Sequence, residues 1–224
     1  MNVKNLHNWN LPYDRARAVQ TALAAKVRLV GLKKSPRLIA GLDCAFSKDG
    51  KRICAVIVVL KFGTFEIVET VTAVAKVAFP YIPGLLSFRE APVCIKAAKK
   101  LKTGPDIFLI DGQGIAHPRR LGLAAHLGLV FDRPTIGCAK SRLTGSFDDV
   151  GLQKGDYSLL TDKGETIGAV VRTRTNVKPL FVSVGNKCLL KDAIRTTLCC
   201  AVKYRLPEPT RLAHQMVSKL RLKI

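Results

Sequence analysis

The sequence predicts an α/β fold with a mixed central sheet flanked by helices, and three observations carry that expectation. Of the 224 residues, 48% are apolar, enough to bury most of the surface an unfolded chain would expose. The first half holds three successive Val- and Ile-rich segments separated by turn signals. Beyond them, short apolar segments alternate with stretches of helical period, the order that favours parallel strands joined by helices.

In chain order, 13–30 reads as an Ala-rich amphipathic helix. Leu38–Phe46, Arg52–Lys61 and 65–79 read as strands, punctuated by Lys48-Asp49-Gly50 and Phe62-Gly63-Thr64, which predicts an antiparallel meander. The period turns helical over 85–101, 106–111 is a short apolar strand ending in an acid, 119–129 is helical, and 134–139 is another short strand. Further strands are expected at 157–161, 166–172 and 180–184, with closing helices near 190–204 and 210–222. No repeat, low-complexity tract or Gly/Ser/Pro-rich linker interrupts the chain, so residues 1–224 are expected to form one domain. No segment approaches the roughly 20 apolar residues of a membrane span, and the first ten residues lack the apolar run of a secretion signal. The expectation is a cytoplasmic monomer that does not engage membranes.

Charge narrows the partner. Thirty-seven Lys and Arg against sixteen Asp and Glu leave a formal +21. A compact chain bears that self-repulsion most readily when its surface meets a polyanion, so nucleic acid is the expected partner. Charge does not separate an enzyme from a binder, and a generically basic surface is the plainer alternative. The basic residues of the C-terminus, Lys219, Arg221 and Lys223, read as ordinary helix-end and solubility features. The seven cysteines include no Cys-x-x-Cys spacing, lie mostly in apolar runs, and are expected to be small buried thiols.

Chemistry is expected where acids interrupt apolar elements. Within Leu38–Phe46 the two-residue period puts Ile39, Gly41, Asp43 and Ala45 on one face, so Asp43 projects into apolar surroundings. Asp111 repeats the case after Ile107-Phe108-Leu109-Ile110, and Glu90 shares a helical stripe with Leu86, Val93, Ala97 and Leu101. A buried carboxylate with no positive partner costs several kcal/mol or takes up a proton. Taken singly, Asp43 could cap a turn, Glu90 could pair with Arg89 or Lys96, and Asp111 could open an Asx-turn. Three inward acids together favour Mg²⁺ or Mn²⁺, hard cations suited to phosphate chemistry.

Two further segments fit a phosphate-bearing polymer. Gly112-Gln113-Gly114 follows a strand at the edge where open α/β sheets place ligands, and Arg119 and Arg120 fall in the first turn of the helix expected from 119. Cations there oppose the helix dipole, so a docked phosphate is expected to explain them; a plain turn is the alternative for the glycines. Pro80-Tyr81-Ile82-Pro83-Gly84 is a proline-stiffened connector that would present Tyr81 and Ile82 as a wedge able to unstack a base step, or else pack Tyr81 on the sheet.

Read together, these residues resemble the endonuclease V family, the deoxyinosine 3′-endonucleases. The resemblance runs from Asn8-Trp9-Asn10-Leu11-Pro12 to Pro207-Glu208-Pro209-Thr210-Arg211-Leu212-Ala213-His214. Its most specific stretches are Ala40-Gly41-Leu42-Asp43, the run from Phe79-Pro80-Tyr81 to Phe88-Arg89-Glu90, Asp111-Gly112-Gln113-Gly114-Ile115-Ala116-His117-Pro118-Arg119, and the run from Pro134-Thr135-Ile136 to Lys140-Ser141-Arg142. The resemblance implies a ribonuclease H-like fold, metal-binding acids at Asp43, Glu90 and Asp111, catalytic-basic positions at Lys140 and His214, and a strand-separating wedge over Pro80, Tyr81, Ile82 and Pro83. It implies a lesion-base pocket at Gly84, Leu86, Gly112, His117, Gly137 and Ala139. It also implies DNA repair with Mg²⁺ (or Mn²⁺) by cleavage at the second phosphodiester 3′ to deoxyinosine, leaving 3′-hydroxyl and 5′-phosphate ends. Lys140 could instead simply contact a phosphate, and His214 could be a core histidine. An inosine-directed ribonuclease of the same family and a noncatalytic nucleic-acid binder remain the alternatives.

Overall fold

In the computed structural model, which describes residues 1–224, eight strands form one sheet in the order β3-β2-β1-β4-β5-β8-β7-β6. Strands β1 (Leu38–Phe46), β2 (Arg52–Lys61) and β3 (Ile67–Lys76) make the antiparallel meander predicted from the turn signals. Strand β4 (Ile107–Ile110) pairs parallel to β1, and β5 (Thr135–Ala139) pairs parallel to β4. Antiparallel β8 (Leu180–Asn186), β7 (Glu165–Val171) and β6 (Tyr157–Asp162) extend the other side. The ribonuclease H-like expectation of a mixed sheet flanked by helices holds.

Strand alternation divides the core in two. Ala40, Leu42, Ile57, Phe108 and Ile110 face α2 (Leu86–Ala98) and α3 (Leu123–Phe131). Ile39, Val56, Leu60, Ile107 and Leu109 face α4 (Leu190–Cys200) and α5 (Glu208–Leu220). Asp43 therefore belongs by parity to the α5 side, as do Ile39 and Ala45 in the period-two reading of β1. α5 comes against β1 at Gly41, where a β-carbon would stand 1.9 Å from the carbonyl oxygen of Pro209. Only a glycine admits that approach, and it sets how near α5 lies to Asp43.

Several boundaries differ from the sequence reading. Helix α1 spans Tyr13–Ala24 and does not run to residue 30. The chain turns out of the helix and is then fastened to the far side of the sheet, with the Arg28 amide donating to Asn186 Oδ1 and the Lys187 amide to the Arg28 carbonyl. Strand β3 starts at Ile67 because Phe65 sits at φ 58°. Helix α3 starts at Leu123, since Arg120 is at φ 57°, a backbone conformation no α-helix contains. Five of the seven cysteines are buried as expected; Cys44 is half-buried and Cys199 exposed, and all are free thiols.

Because the blocking atom at Gly41 is backbone, Gly41→Ala must move α5 or bend β1. Urea unfolding should show a loss of about 3 kcal/mol, the upper range for overpacking a tight interior; a loss within about 0.5 kcal/mol, the level of a neutral surface change, would mean the contact is soft.

Candidate active site

Parallel pairing makes the site. The β1/β4 register sets Leu42 beside Ile110, and the Asp111 amide donates to the Leu42 carbonyl at 3.0 Å. The next residues, Asp43 within β1 and Asp111 just past the end of β4, are thereby brought side by side where the parallel pairing stops. Asp43 is only 6% exposed. One of its carboxylate oxygens accepts from the Cys44 amide at 2.8 Å, and the other meets His214 Nδ1 at 2.7 Å. Asp111 is paired with the Lys140 ammonium. Ligand atoms of Asp43, Asp111 and His214 all lie within 4.8 Å of one another.

That grouping differs in one member from the expected acid set. His214, from α5, completes the close cluster in place of Glu90, which rises from α2 on the opposite side of the sheet. Glu90 still lines the same cleft, half-buried, with Leu86 on its stripe exposed. Burial pushes the Glu90 carboxyl up to about 7, against a hydrogen bond with the Cys44 thiol and with help from the Asp43 and Asp111 charges. Burial likewise raises Asp43 to about 6, reinforced by Asp111 and opposed by His214 and Lys140. Three carboxyls against one lysine and one histidine leave negative charge concentrated in a strongly basic molecule. Oxygen donors with an adjacent imidazole are a donor set that fits a divalent cation.

Around the acids opens a cleft of about 1050 Å³ whose rim carries Lys48, Arg142 and Arg221. Arg221, read from sequence as a helix-end feature, thus belongs to the site, because α5 ends at the mouth of the cleft. No local pattern marked it or Lys48.

A smaller cavity of about 170 Å³ adjoins the cleft and shares Leu86, Glu90, Asp111, Gly112 and Gln113 with it. Gly84, Leu86, Gly112 and His117, four of the six residues expected in a base pocket, line it. Ala139 lines the larger cleft and not this cavity. Gly137 lines neither; a β-carbon there would stand 2.5 Å from the Gly114 amide nitrogen, so its place is to let the Gly112–Gly114 turn lie against β5. Gln20, from α1, forms part of the cavity wall with no signal in its own neighbourhood of sequence.

The cavity wall is knotted at one carbonyl. Gly84, at φ 78°, accepts from Gln20 Nε2 at 2.9 Å, Arg119 Nη2 at 2.7 Å and His117 Nε2 at 3.1 Å. Burial, with the Arg119 charge, lowers His117 to about 4, so its ring is neutral and takes the Arg119 amide on Nδ1. The two arginines expected at a phosphate have partners within the protein. Arg119 and Arg120 precede α3 and do not lie in its first turn; Arg119 faces inward to Gln20 and Gly84, and Arg120 pairs with Asp162 and Glu165 at 2.8 Å each.

Beside the cavity, Pro80, Tyr81 and Pro83 are exposed, Tyr81 at 68%. Ile82 turns inward against Phe79, Leu85 and Phe88, so of the expected Tyr-Ile pair only the tyrosine is presented.

Inward acids paired at the carboxyl edge of a mixed sheet, facing a cationic rim, belong to the ribonuclease H-like nucleases. Comparison narrows the class. The family model of endonuclease V matches residues 21–215. An endonuclease V of Rippkaea orientalis is 49% identical over 205 residues, 92% of this chain and 90% of the relative. The crystal structure of the Bacillus subtilis enzyme aligns with a TM-score of 0.94 at 35% identity, over 99% of this chain and 97% of that one. The Ciona intestinalis enzyme, solved with a 24mer DNA containing an inosine followed by a ribo-adenosine, aligns with a TM-score of 0.79 at 29% identity, over 94% and 98% of the two chains. The chain belongs to the endonuclease V family and is a nuclease.

The raised carboxyls give stability a sign with pH. Folded Asp43 and Glu90 hold protons that the unfolded chain has already released, so their neutral forms stabilise below the ordinary carboxylate range and that stability is lost as pH rises through about 6 to 7. In EDTA, Glu90→Gln should therefore raise the melting temperature by about 2–8 °C near pH 8, equivalent to about 1–3 kcal/mol, and change it little near pH 4. An unchanged melting temperature at the higher pH would show that the Glu90 charge is already neutralised.

Proposed function

We propose that the chain is a Mg²⁺-dependent DNA-repair endonuclease that recognises deoxyinosine and hydrolyses the second phosphodiester 3′ to it, leaving 3′-hydroxyl and 5′-phosphate ends. The observation that carries this reading is the Asp43, Asp111 and His214 cluster, opening on one side to a cationic cleft and on the other to a small cavity behind Tyr81. The inosine in the DNA bound by the Ciona enzyme supports the lesion. The single eight-stranded sheet supports reading residues 1–224 as one catalytic domain.

Asp43 and Asp111, with Glu90 beside them, would hold the cation, and Mn²⁺ should substitute for Mg²⁺ at such oxygen donors. The bound ion would supply Lewis-acid stabilisation of charge on the scissile phosphate. Lys140, whose ammonium pairs with Asp111, would neutralise a phosphate oxygen of the bound strand. His214, held by Asp43, would orient a water or carry a proton. Tyr81 would occupy the space left by an extruded base, and Gly84, Leu86, Gly112 and His117 would receive that base. Neutral His117 and the backbone groups around it suit an uncharged purine.

Asp43→Ala should lower single-turnover cleavage of an inosine-containing oligonucleotide by about a thousandfold or more while low-salt binding persists, as expected when a group acts only in the reaction step. Cleavage at the parent rate would remove Asp43 from the mechanism, and persistence of parental cleavage in EDTA would remove the metal. Tyr81→Ala should slow cleavage of inosine in duplex DNA by about tenfold and in a single strand by about twofold or less, since only the duplex must be unstacked. Equal losses on both substrates would assign Tyr81 to the base pocket and not to strand separation.

A second reading has one observation of its own. In the Ciona complex a ribo-adenosine follows the inosine. Inosine-containing RNA is therefore the competing substrate, and matched DNA and RNA strands, digested in Mg²⁺ and in EDTA, separate the two.

A further inference from the structure

The sheet presents a second concavity at its other end. It occupies about 790 Å³ between the 28–37 segment, Asp106 and Ile107 at the start of β4, Pro134 before β5, and Lys187. Five cations line it (Arg28, Lys33, Lys34, Arg37 and Lys187) against one carboxylate, Asp106. Lys187 is committed to Asp132 at 2.6 Å. The other four side chains are exposed and enter no ion pair.

These four charges are held on a fastened loop. Asp106 Oδ2 accepts the amides of Arg37 at 2.8 Å and Leu38 at 2.9 Å, and Asp192 Oδ2 accepts the Leu32 amide at 3.1 Å. The Arg28 amide is bound by Asn186 Oδ1 at 3.0 Å. Asp106 is thus turned to backbone amides and not to the side chains, and its one negative charge leaves an excess of cations around a concave surface, where their fields add. Helix-dipole compensation does not explain them, because α1 ends at Ala24 with no basic residue in its last turn and all four lie beyond it.

From Leu38 at this end to Asp43 is five residues along β1, about 17 Å at strand rise, and the two concavities share no lining residue. A strand seated in the catalytic cleft does not lie in this pocket. The geometry points to a second phosphate-binding site at the amino end of β1, β4 and β5, gripping the backbone of a nucleic-acid segment other than the one being cut. It rests on the family's being a nuclease and on nothing in the lesion chemistry, so the two readings fail separately.

The test compares the parent protein with Lys33→Ser/Lys34→Ser/Arg37→Ser, none of which belongs to the catalytic site. Binding of undamaged duplex is measured across salt concentrations, together with bridging of two differently labelled duplexes by energy transfer. The variant should show a salt slope smaller by about 3 and about tenfold weaker binding at low salt, and should lose bridging. Single-turnover cleavage of a short inosine-containing single strand should stay within about twofold of parent. An unchanged slope with bridging retained overturns the site. Loss of short-strand cleavage in step with the slope overturns it too, because the three cations would then serve the cleft. Pyrophosphate titrated into both proteins separates the remaining source: if it binds only the parent while the duplex slope is unchanged, the pocket takes free polyphosphate and the nucleic-acid proposal falls. Should the triple variant melt early, Lys33→Gln/Lys34→Gln gives the same readouts with two charges removed.

Discussion

Asp43 and Asp111 cannot move apart. They stand where the parallel pairing of β1 with β4 ends, in a register that continues back into the buried core, so separating them would unzip β1 from β4. With carboxylate oxygens within 4.8 Å and an effective dielectric of about 20, two unit charges would repel by roughly 3 kcal/mol or more, a sizeable fraction of a domain's net stability. The surrounding structure reads as a response to that repulsion. Lys140 lies against one acid and His214 against the other, and Asp43 keeps a raised affinity for its proton. A doubly charged ion relieves the same stress more completely, which is why the donor set and the electrostatics point the same way.

Delivering His214 to Asp43 requires a helix closer to the sheet than side chains ordinarily permit. The glycine at 41 makes that possible, two residues before the acid it serves and on the same strand face. On the opposite face, α2 carries Glu90 to the rim while its buried side packs Val93, Cys94 and Ala97 on the strands. The site is thus assembled from both faces of the sheet at one edge, and this explains why Glu90 shares the cleft without joining the tight cluster.

Much of this was legible in the sequence because its signals are local. Alternation in Leu38–Phe46 gave the facing of Asp43, the turn signals gave the meander, and the Asp111-Gly112-Gln113-Gly114 stretch gave the strand edge. What stayed hidden depends on partners far along the chain. Arg119 and Arg120 look like cations awaiting phosphate until Gln20, Asp162 and Glu165 are brought beside them. The start of α3 was misplaced for the same reason: the left-handed Arg120 is stabilised by those tertiary pairs and not by its own propensity. Gln20 and Arg221 show that a wall or rim residue on a helix has no pattern distinguishing it from its neighbours.

The carbonyl of Gly84 joins three pieces of the chain that are otherwise independent: α1 through Gln20, the loop before α3 through His117 and Arg119, and the Pro-Tyr-Ile-Pro connector that carries Gly84 itself. Widening the small cavity means breaking several of these bonds together. The width of the cavity is therefore set jointly by three separate parts of the chain, so that no one of them can shift without straining the other two.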